Sequence, residues 1–331
     1  MKEYLLKIIA GETLSRQETH DVLIGITQEA YPTEQIAALL MGMQARGVTV
    51  DELLGLRDGL LETGKHIDLH DYDTLDIVGT GGDGKNSFNI STCAAFVIAG
   101  AGFKVSKHGN GASTSVSGAS NVLQGHGVKF TADEDQLRRS LEVSGVCYLH
   151  APLFATGMKF VGPVRKALAI PTAFNLLGPL INPCSPRNSL HGTATQAQLR
   201  LYASIHQKIG DNYGIVTSYD GYDEISLTSG FKFVTRQFEK VYTPLEMGLS
   251  YVRPEDIYGG QTAEEAKQIF DNVLENKGTK AQTDVVIANA ACGISVMNPN
   301  LPMTETIAMA RESIESGKAL SCLKKFVEVN S

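Results

Sequence analysis

The first 65 residues carry hydrophobic positions at the spacing of α-helices. One apolar face repeats at i, i+3, i+4 and i+7, at Ile36, Leu39, Leu40 and Met43. Ser15 with Glu18, and Thr49 with Glu52, have the spacing of capping boxes, in which a hydroxyl and a carboxylate satisfy the free N–H groups at a helix start. Gly64 is typical of a helix end. The pattern predicts several short helices that pack as a small all-helical domain.

From position 75 the pattern changes, and short apolar runs alternate with longer amphipathic stretches. Strands are predicted over 75–78, 104–107, 146–149, 213–217 and 231–235. Helices are predicted over 91–99, 136–143, 196–208, 263–274, 284–297 and 304–316. This alternation favours a mostly parallel sheet with helices on both faces. The sequence therefore predicts an α/β fold: residues 71–331 form a large domain with a mostly parallel central sheet flanked by helices, and residues 1–70 form the small helical domain.

Composition narrows the class of protein. Hydrophobic residues make up 43% and charged residues 20% of the 331 positions, a globular rather than a disordered mixture. The net charge is −7, so the chain as a whole does not attract nucleic acid or an anionic membrane. No secretory leader opens the sequence, the apolar run at 93–103 is too short to cross a bilayer, and the five cysteines form no Cys-x-x-Cys pair. We expect a cytoplasmic protein with no nucleic-acid or membrane partner.

A glycine-rich turn, Gly-Thr-Gly-Gly-Asp-Gly-Lys-Asn at 79–86, follows the first predicted strand. It matches both a dinucleotide-binding pattern and the start of a Walker motif. The Walker pattern needs Ser or Thr where Asn86 stands. The dinucleotide pattern needs an acidic residue about 20 positions further on, where Lys107 and His108 stand. Neither pattern is complete, so the turn is interpreted from its surroundings.

The long segment that follows this turn contains no acidic residue. Between Asp83 and Asp133 there is no Asp or Glu, although the protein is acidic overall. Ser91 and Thr92 lie at a predicted helix start, where backbone N–H groups and the helix dipole favour an anion, and Lys107 adds a full positive charge. A second loop rich in small polar residues, 107–115, leaves the next strand. Two such loops at adjacent strand ends predict a site for a ligand with several phosphate groups.

Six segments occur in the order and spacing of one known family. They are 79–83 (Gly-Thr-Gly-Gly-Asp), 89–92 (Asn-Ile-Ser-Thr), 107–110 (Lys-His-Gly-Asn), 164–165 (Val-Arg), 175–183 (Asn-Leu-Leu-Gly-Pro-Leu-Ile-Asn-Pro) and 220–224 (Asp-Gly-Tyr-Asp-Glu). In these segments the chain resembles the anthranilate phosphoribosyltransferases of tryptophan biosynthesis. The resemblance covers essentially the whole sequence, and six ordered motifs are far more specific than one glycine pattern.

The resemblance implies a homodimer with the fold of the pyrimidine nucleoside phosphorylases. In this family the helical domain is completed by helices from about 153–185, and the site lies between the two domains. The implied reaction transfers phosphoribose from phosphoribosyl pyrophosphate (PRPP) to the amino group of anthranilate and releases pyrophosphate. The implied cofactor is Mg²⁺, with two ions per subunit.

The resemblance also implies roles for individual residues. The residues that would bind PRPP are Gly79, Gly82, Asp83, Ser87, Asn89, Ile90, Ser91, Thr92, Lys107, His108, Gly109, Asn110, Gly111, Ala112, Ser113, Thr114, Ser115 and Ala119. Anthranilate would contact Gly79, Asn110 and Arg165, and Mg²⁺ would be held by Ser91, Asp223 and Glu224. No side chain is identified as a nucleophile. Lys107, Asp223 and Glu224 would act through electrostatics and positioning, as expected when a diphosphate leaves a cation-like sugar.

The sequence departs from the family pattern at two places. Many relatives have Arg where Gly111 stands, so one cation is absent from the second loop. The family usually has His-Pro-Ala where this chain has Ala155, Thr156 and Gly157, in a segment that borders the acceptor channel. The second departure leaves the affinity for the acceptor and its identity open. The alternatives on the same fold are a relative with a different acceptor, a pyrimidine nucleoside phosphorylase, or a non-catalytic nucleic-acid binder. The adjacent carboxylates and the acidic net charge oppose the last two.

Overall fold

The computed structural model of the chain describes residues 1–112 and 116–331. The helices are α1 (Lys2–Ile9), α2 (Arg16–Thr27), α3 (Thr33–Arg46), α4 (Val50–Thr63), α5 (Ile90–Gly100), α6 (Ala119–Gly125), α7 (Glu134–Ser144), α8 (Ala151–Phe154), α9 (Met158–Leu168), α10 (Gln196–Ile209), α11 (Ala263–Leu274), α12 (Lys280–Met297), α13 (Met303–Glu315) and α14 (Lys318–Asn330). The strands are β1 (Thr74–Gly79), β2 (Lys104–Gly109), β3 (Val146–His150), β4 (Asn188–Gly192), β5 (Asn212–Ser218), β6 (Phe231–Thr235) and β7 (Glu239–Tyr242). Short 3₁₀ turns connect several of these elements.

The chain divides into two units. One consists of Met1–Ile67 and Ala151–Ser185 and contains only helices and 3₁₀ turns. The other consists of Asp68–His150 and Pro186–Ser331 and contains all seven strands of the described residues. Each unit is therefore built from two separate stretches of the chain.

The helical unit confirms both predicted capping boxes. Ser15 begins α2 and Thr49 begins α4, and each accepts the N–H of the residue three positions on while that residue's carboxylate accepts its own N–H. Glu52 does more than cap α4, because it is fully buried, accepts the N–H of Leu14 at 2.9 Å and pairs with Arg46 at 2.5 Å. One carboxylate thus joins α4 to the segment before α2 and to the end of α3.

The α/β unit is built on a seven-stranded sheet in the order β3-β2-β1-β4-β5-β6-β7. The pairs from β3 to β5 are parallel, and β6 and β7 add an antiparallel edge. This confirms the predicted fold class. Because β2, β1, β4 and β5 are parallel neighbours, their carboxyl ends meet at one edge of the sheet, where the loops that follow them lie together.

Five predicted strands are confirmed, but two strands were not predicted. The important omission is β4, which pairs with β1 and β5 in the middle of the sheet. Its sequence, Asn-Ser-Leu-His-Gly, has one strongly apolar residue, yet all five residues are buried. Its polar side chains are accommodated by hydrogen bonds, such as that from Asn188 to Asp73 at 2.7 Å, so hydrophobic periodicity could not show it. The C-terminal helix α14 was also not predicted.

One face of the sheet carries the main hydrophobic core. Helix α5 is buried along nearly its whole length and packs against α12, α14 and α11. Phe96 of α5 makes edge-to-face contacts with Phe270, at 6.2 Å between ring centroids, and with Phe326, at 5.5 Å. This packing fixes the position of the α5 N-terminus at the carboxyl edge of the sheet. In the part of the chain that the structure describes, no helix is long and apolar enough to span a bilayer.

His191 of β4 and His206 of α10 form a buried pair of imidazoles. His191 is 1% exposed, and its Nδ1 lies 3.0 Å from Nε2 of His206. Nδ1 of His206 in turn lies 2.9 Å from a carboxylate oxygen of Asp211, and the ring of Tyr202 packs edge-on against His191. Burial, with added repulsion from His206 and Lys107, holds the pKa of His191 well below its usual value. His191 therefore stays neutral in the folded protein.

We expect this histidine to destabilise the fold as the solution becomes acidic. Below about pH 6.5 the unfolded chain binds a proton at this position and the folded chain does not, so the free energy of unfolding falls by about 1.4 kcal/mol per pH unit. His191→Asn removes the titrating group and keeps a polar side chain. Urea unfolding of both proteins should show that the advantage of wild type over the variant shrinks by about 1 kcal/mol from about pH 7.5 to about pH 5.5. An advantage that does not change with pH would contradict the assignment.

Candidate active site

The glycine-rich turn after β1 adopts backbone conformations that require glycine. Gly81, Gly82 and Gly84 have φ of 71°, 74° and 72°, in the left-handed region that side chains disfavour. Gly79 is needed for another reason, because a Cβ there would lie 2.8 Å from the carboxyl carbon of Asp223. The turn therefore brings its backbone directly against the loop between β5 and β6.

Two carboxylates of the β5–β6 loop are held against this turn and against the start of α5. Asp223 accepts the N–H of Gly81 at 2.6 Å. Glu224 accepts the N–H of Ser91 at 2.9 Å, and the hydroxyl of Ser87 donates to its other oxygen at 3.4 Å. The structure thus brings together residues that are more than 130 positions apart in the sequence.

The negative charge at this point is poorly neutralised. Asp223 is 7% exposed, and burial, together with the nearby charges of Glu224 and Asp83, raises its pKa well above the usual value. Burial also raises the pKa of Glu224, against the hydrogen bonds from Ser91 and the charge of Lys107, which lower it. Carboxylates in this state bind a cation favourably, because the cation relieves their mutual repulsion.

The donor set suits a hard cation that shares its ligands with phosphate. Among the described residues, no group of three or more His, Cys, Asp or Glu side chains is placed to hold a metal by itself. Asp223 and Glu224 supply two carboxylates, and the hydroxyl of Ser91 is hydrogen-bonded to Glu224. Mg²⁺ is typically bound through one or two carboxylates and completes its shell with water and substrate phosphate oxygens. The site fits that pattern.

Lys107 places a positive charge next to Ser91 and close to the carboxylates of Asp223 and Glu224. Its side chain is 2% exposed, and its ammonium group donates to the carbonyl of Ile77 and, at 3.3 Å, to the hydroxyl of Ser91. Burial lowers the pKa of Lys107 to about 8, although Asp76, Glu224 and Asp223 oppose the shift. Lys107 therefore carries its charge at neutral pH next to Ser91, as predicted, but from beneath the loops and not from their surface.

The second predicted loop leaves β2 and returns to α6. The N–H of His108 donates to Asp76 at 3.1 Å, and the amide of Asn89 donates to the carbonyl of Ser117 at 3.0 Å, which ties this loop to the start of α5. Gly109 ends β2 and Ala119 begins α6. The predicted ligand residues Ser113, Thr114 and Ser115 lie outside the described residues.

Two more predicted residues belong to the buried start of α5. Ile90 and Thr92 are 0% and 2% exposed, so both residues are buried in the single chain. The N–H of Ser91, which the sequence predicted would bind phosphate, donates to the carboxylate of Glu224. The helix start thus binds the carboxylate that in turn faces the cation position.

A segment that the sequence interpretation did not identify supports the glycine turn. The side-chain amide of Asn86 donates to the carbonyl of Gly260 at 2.9 Å, and the N–H of Gly259 donates to the carbonyl of Asn86 at 2.6 Å. Asn86 also accepts the N–H of Val116 at 3.3 Å. Asn86 therefore joins three loops. Its only sequence signal was the failure of the Walker pattern at this position.

Arg165 belongs to the helical unit, in the last turn of α9. Its guanidinium lies 6.0 Å from the ring centroid of Phe174 and donates a long hydrogen bond, 3.4 Å, to Asn175. Among the described residues it has no carboxylate partner. Burial lowers the pKa of Arg165, which shows a positive charge that is partly desolvated and not yet neutralised. Such a group is prepared to bind an anion.

Comparisons with known proteins agree with this geometry. Residues 2–64 match the model of the glycosyl transferase family helical bundle domain, and residues 71–320 match that of the glycosyl transferase family a/b domain. The chain is 56% identical, over all 331 residues and the full length of both proteins, to an anthranilate phosphoribosyltransferase from Phocaeicola vulgatus. It is 46% identical to one from Cytophaga hutchinsonii, over 99% of this chain and 100% of the relative.

Solved structures of anthranilate phosphoribosyltransferases also resemble the structure of this chain. The anthranilate phosphoribosyltransferase from Thermus thermophilus superimposes with a TM-score of 0.92 at 31% identity, covering 98% of each chain. The enzyme from Saccharomyces cerevisiae in complex with PRPP and Mg gives a TM-score of 0.92 at 28% identity, over 99% of this chain and 96% of the other. The fold and the order of the site loops are therefore those of these enzymes.

Proposed function

The chain belongs to the glycosyl transferase family, and within it to the anthranilate phosphoribosyltransferases, and from this premise we infer that it carries out their reaction. It transfers the phosphoribosyl group of PRPP to the amino group of anthranilate, giving N-(5-phosphoribosyl)anthranilate and pyrophosphate. The observation that supports this most strongly is the pair Asp223 and Glu224, held by hydrogen bonds against the glycine turn and the start of α5. A nucleoside phosphorylase that uses orthophosphate has no need of such a carboxylate pair.

PRPP binds, in this proposal, at the carboxyl edge of the sheet. Its diphosphate lies along the turn with Gly79, Gly82 and Asp83 and along the second loop, and Ser87, Asn89 and the start of α5 complete the site. Mg²⁺ would be held by Asp223, Glu224 and Ser91, with two ions per subunit. When present, the ions supply positive charge to the oxygens of the departing diphosphate.

The chemistry requires positioning more than reactive side chains. The bond from C1 of the ribose to the pyrophosphate oxygen breaks, the electron pair leaves with pyrophosphate, and the anthranilate nitrogen bonds to C1 and releases one proton. Lys107 contributes its charge beneath Ser91 and offsets the carboxylates. No described side chain has to form a covalent intermediate, because PRPP already carries a good leaving group.

The acceptor is recognised, we propose, by its carboxylate. Arg165 supplies a planar guanidinium that has no carboxylate partner among the described residues, and its fork suits two parallel hydrogen bonds. Asn110 and Gly79 contact the same ligand. The segment that departs from the family is tied down within the helical unit, where the hydroxyl of Thr156 donates to the carbonyl of Thr63 at 2.8 Å.

The direct test is the loss of anthranilate fluorescence on mixing the protein with PRPP. We expect turnover with Mg²⁺ and none after the metal is removed with EDTA, with recovery when Mg²⁺ is restored. Pyrophosphate release, measured separately, should match anthranilate loss one to one. Cleavage of a pyrimidine nucleoside by orthophosphate, or PRPP consumption with an uncharged amine but not with anthranilate, would refute the proposal.

Lys107→Met should weaken PRPP binding with little change in anthranilate binding. Losing the charge beneath Ser91 removes about 1.5 to 3 kcal/mol of charge-assisted interaction, or roughly 10- to 150-fold in the PRPP Kd measured by calorimetry. Because the pKa of Lys107 is about 8 and its charged form is present below that value, wild-type affinity should also fall as the pH rises above about 8.

The matched control for this variant is Lys104→Met on the same strand. Lys104 donates to the carbonyl of Leu141 at 3.1 Å and lies over the ring of Tyr72, away from the carboxylates. Its replacement should leave the PRPP Kd unchanged. Equal PRPP affinities of wild type and Lys107→Met at neutral pH would exclude the proposed role of Lys107.

Three further features are proposed on the strength of family membership. The protein works as a homodimer in the cytoplasm, and residues 1–70 with 153–185 form its helical domain. Leu6 and Ile9 of α1 and Met41 of α3 are apolar and exposed in the single chain, at 55%, 81% and 46%, which supports burial against a second copy. Sedimentation velocity at micromolar concentration tests the dimer, and a monomer would contradict it.

A further inference from the structure

His126, the C-terminal cap of α6, joins that helix to the middle of α11. Its Nε2 lies 2.6 Å from Oδ1 of Asp271, and its Nδ1 lies 2.7 Å from the carbonyl oxygen of Val122, one turn back on α6. The ammonium group of Lys267 donates to the other carboxylate oxygen of Asp271 at 2.7 Å. The ring of Phe270 packs against the imidazole, at 5.6 Å between centroids. The end of α6 is therefore fixed to the side of α11.

The hydrogen-bond partners of His126 require both of its ring nitrogens to carry a proton. A backbone carbonyl can only accept a hydrogen bond, and so can an ionised carboxylate. Burial alone would raise the pKa of Asp271, but the hydrogen bonds from His126 and Lys267 lower it below its usual value, so this carboxylate is ionised. His126 is therefore an imidazolium, and it gives one of the last carbonyls of α6 a charged donor.

Helix α11 also supports the glycine-rich turn, through the residues that precede the helix. Asn86 of the turn exchanges hydrogen bonds with Gly259 and Gly260. The N–H of Gln261 donates to the carboxylate of Glu265, in the first turn of α11, at 2.7 Å. A Cβ on Gly260 would lie 2.7 Å from the Cβ of Glu265. This segment is thus packed directly on α11, so a displacement of α11 would be transmitted to the glycine-rich turn.

Helix α6 supports the second loop in the same way. The N–H of Ser120, in its first turn, donates to the carbonyl of Asn110 at 3.1 Å. The helix has seven residues, too few to be stable alone, so its position depends on packing. Val122 and Leu123 are buried in the main core, but hydrophobic burial is not directional. The charge-assisted hydrogen bond of His126 has a defined geometry and fixes the direction of the helix.

We propose that His126 is a positioning residue for PRPP. Its imidazolium fixes α6 to α11 and thereby sets the distance between the second loop and the glycine-rich turn, which together bind PRPP in the proposed function. This inference rests on that function, since it takes PRPP as the ligand of both loops. His126 does not contact the ligand; it acts through Asp271 and the two helices.

The main test is the steady-state kinetics of His126→Leu, which keeps most of the side-chain volume and removes both donors. The PRPP KM should rise about fivefold or more, while kcat at saturating PRPP and the anthranilate KM stay within about twofold of wild type. This split is expected because the change affects the spacing of the PRPP loops and leaves the carboxylates and the acceptor site intact. An unchanged PRPP KM would overturn the proposal, even if the melting temperature fell, because the pair would then only stabilise the fold.

Asp271→Asn tests the same link from the other helix, and it decides the question if His126→Leu does not fold. The amide keeps an acceptor oxygen and loses the charge, so the PRPP KM should rise about threefold or more. The double variant should raise the KM no further than the larger single effect, because the two residues act as one pair. An unchanged PRPP KM in Asp271→Asn, or additive effects in the double variant, contradicts the proposal.

The matched control is His20→Leu in the helical unit. Nε2 of His20 lies 2.8 Å from the carboxylate of Glu62 and links α2 to α4, so the variant removes the same kind of pair away from both loops. It should change the PRPP KM less than about twofold, and an effect equal to that of His126→Leu would remove the special role of His126. A wild-type protein that does not consume anthranilate and PRPP refutes the proposed function instead, so the two failures are distinguishable.

Discussion

Replacing Asp223 by Asn and Glu224 by Gln should lower the turnover rate at limiting Mg²⁺ by on the order of 10³-fold. The new side chains have the same shape, and their oxygens can still accept the N–H groups of Gly81 and Ser91. The loss therefore reports charge and not packing. Since two partly desolvated negative charges disappear, the melting temperature should stay the same or rise.

The measurement is a set of initial rates over a Mg²⁺ titration at saturating PRPP. High Mg²⁺ should restore part of the activity, because substrate phosphates and Ser91 still offer oxygen ligands. The matched control is Asp220→Asn in the same loop, where the carboxylate accepts the hydroxyl of Ser229 at 2.9 Å and takes no part in the site. If the double variant kept the wild-type rate and Mg²⁺ dependence, the metal site would have to lie elsewhere.

The sequence predicted those parts of the architecture that depend on local patterns of residues. The capping residues Ser15 and Thr49 and the alternation of strands with helices depend on nearby positions, and both are confirmed. β4 was missed because its burial depends on distant partners. His191, for example, is buried against His206 and Tyr202, and no window of neighbouring residues contains that information.

In the candidate site, too, contiguous motifs could be predicted and long-range contacts could not. The glycine turn, the Asn-Ile-Ser-Thr segment and the adjacent carboxylates could be identified from the sequence because each is a contiguous motif. The structure adds what long-range contacts decide: Glu224 occupies the N–H of Ser91, and Lys107 lies beneath the loops with a lowered pKa. Asn86 acts through hydrogen bonds with backbone groups of two other loops, and a lone asparagine has no sequence signature.

Arg165→Ala should raise the anthranilate KM by roughly 30-fold or more, since loss of one partner from a desolvated charged pair costs about 2 to 5 kcal/mol, while the PRPP KM changes little. The Arg165 guanidinium is partly buried and has no carboxylate partner among the described residues. The carboxylate of anthranilate would therefore supply its ion-pair partner. Arg165→Lys should restore little, because an ammonium cannot form two parallel hydrogen bonds. Lys166→Ala, at the exposed neighbouring position, is the control and should leave both KM values unchanged. An unchanged anthranilate KM in Arg165→Ala would remove Arg165 from the acceptor site, even if phosphoribosyl transfer itself were confirmed.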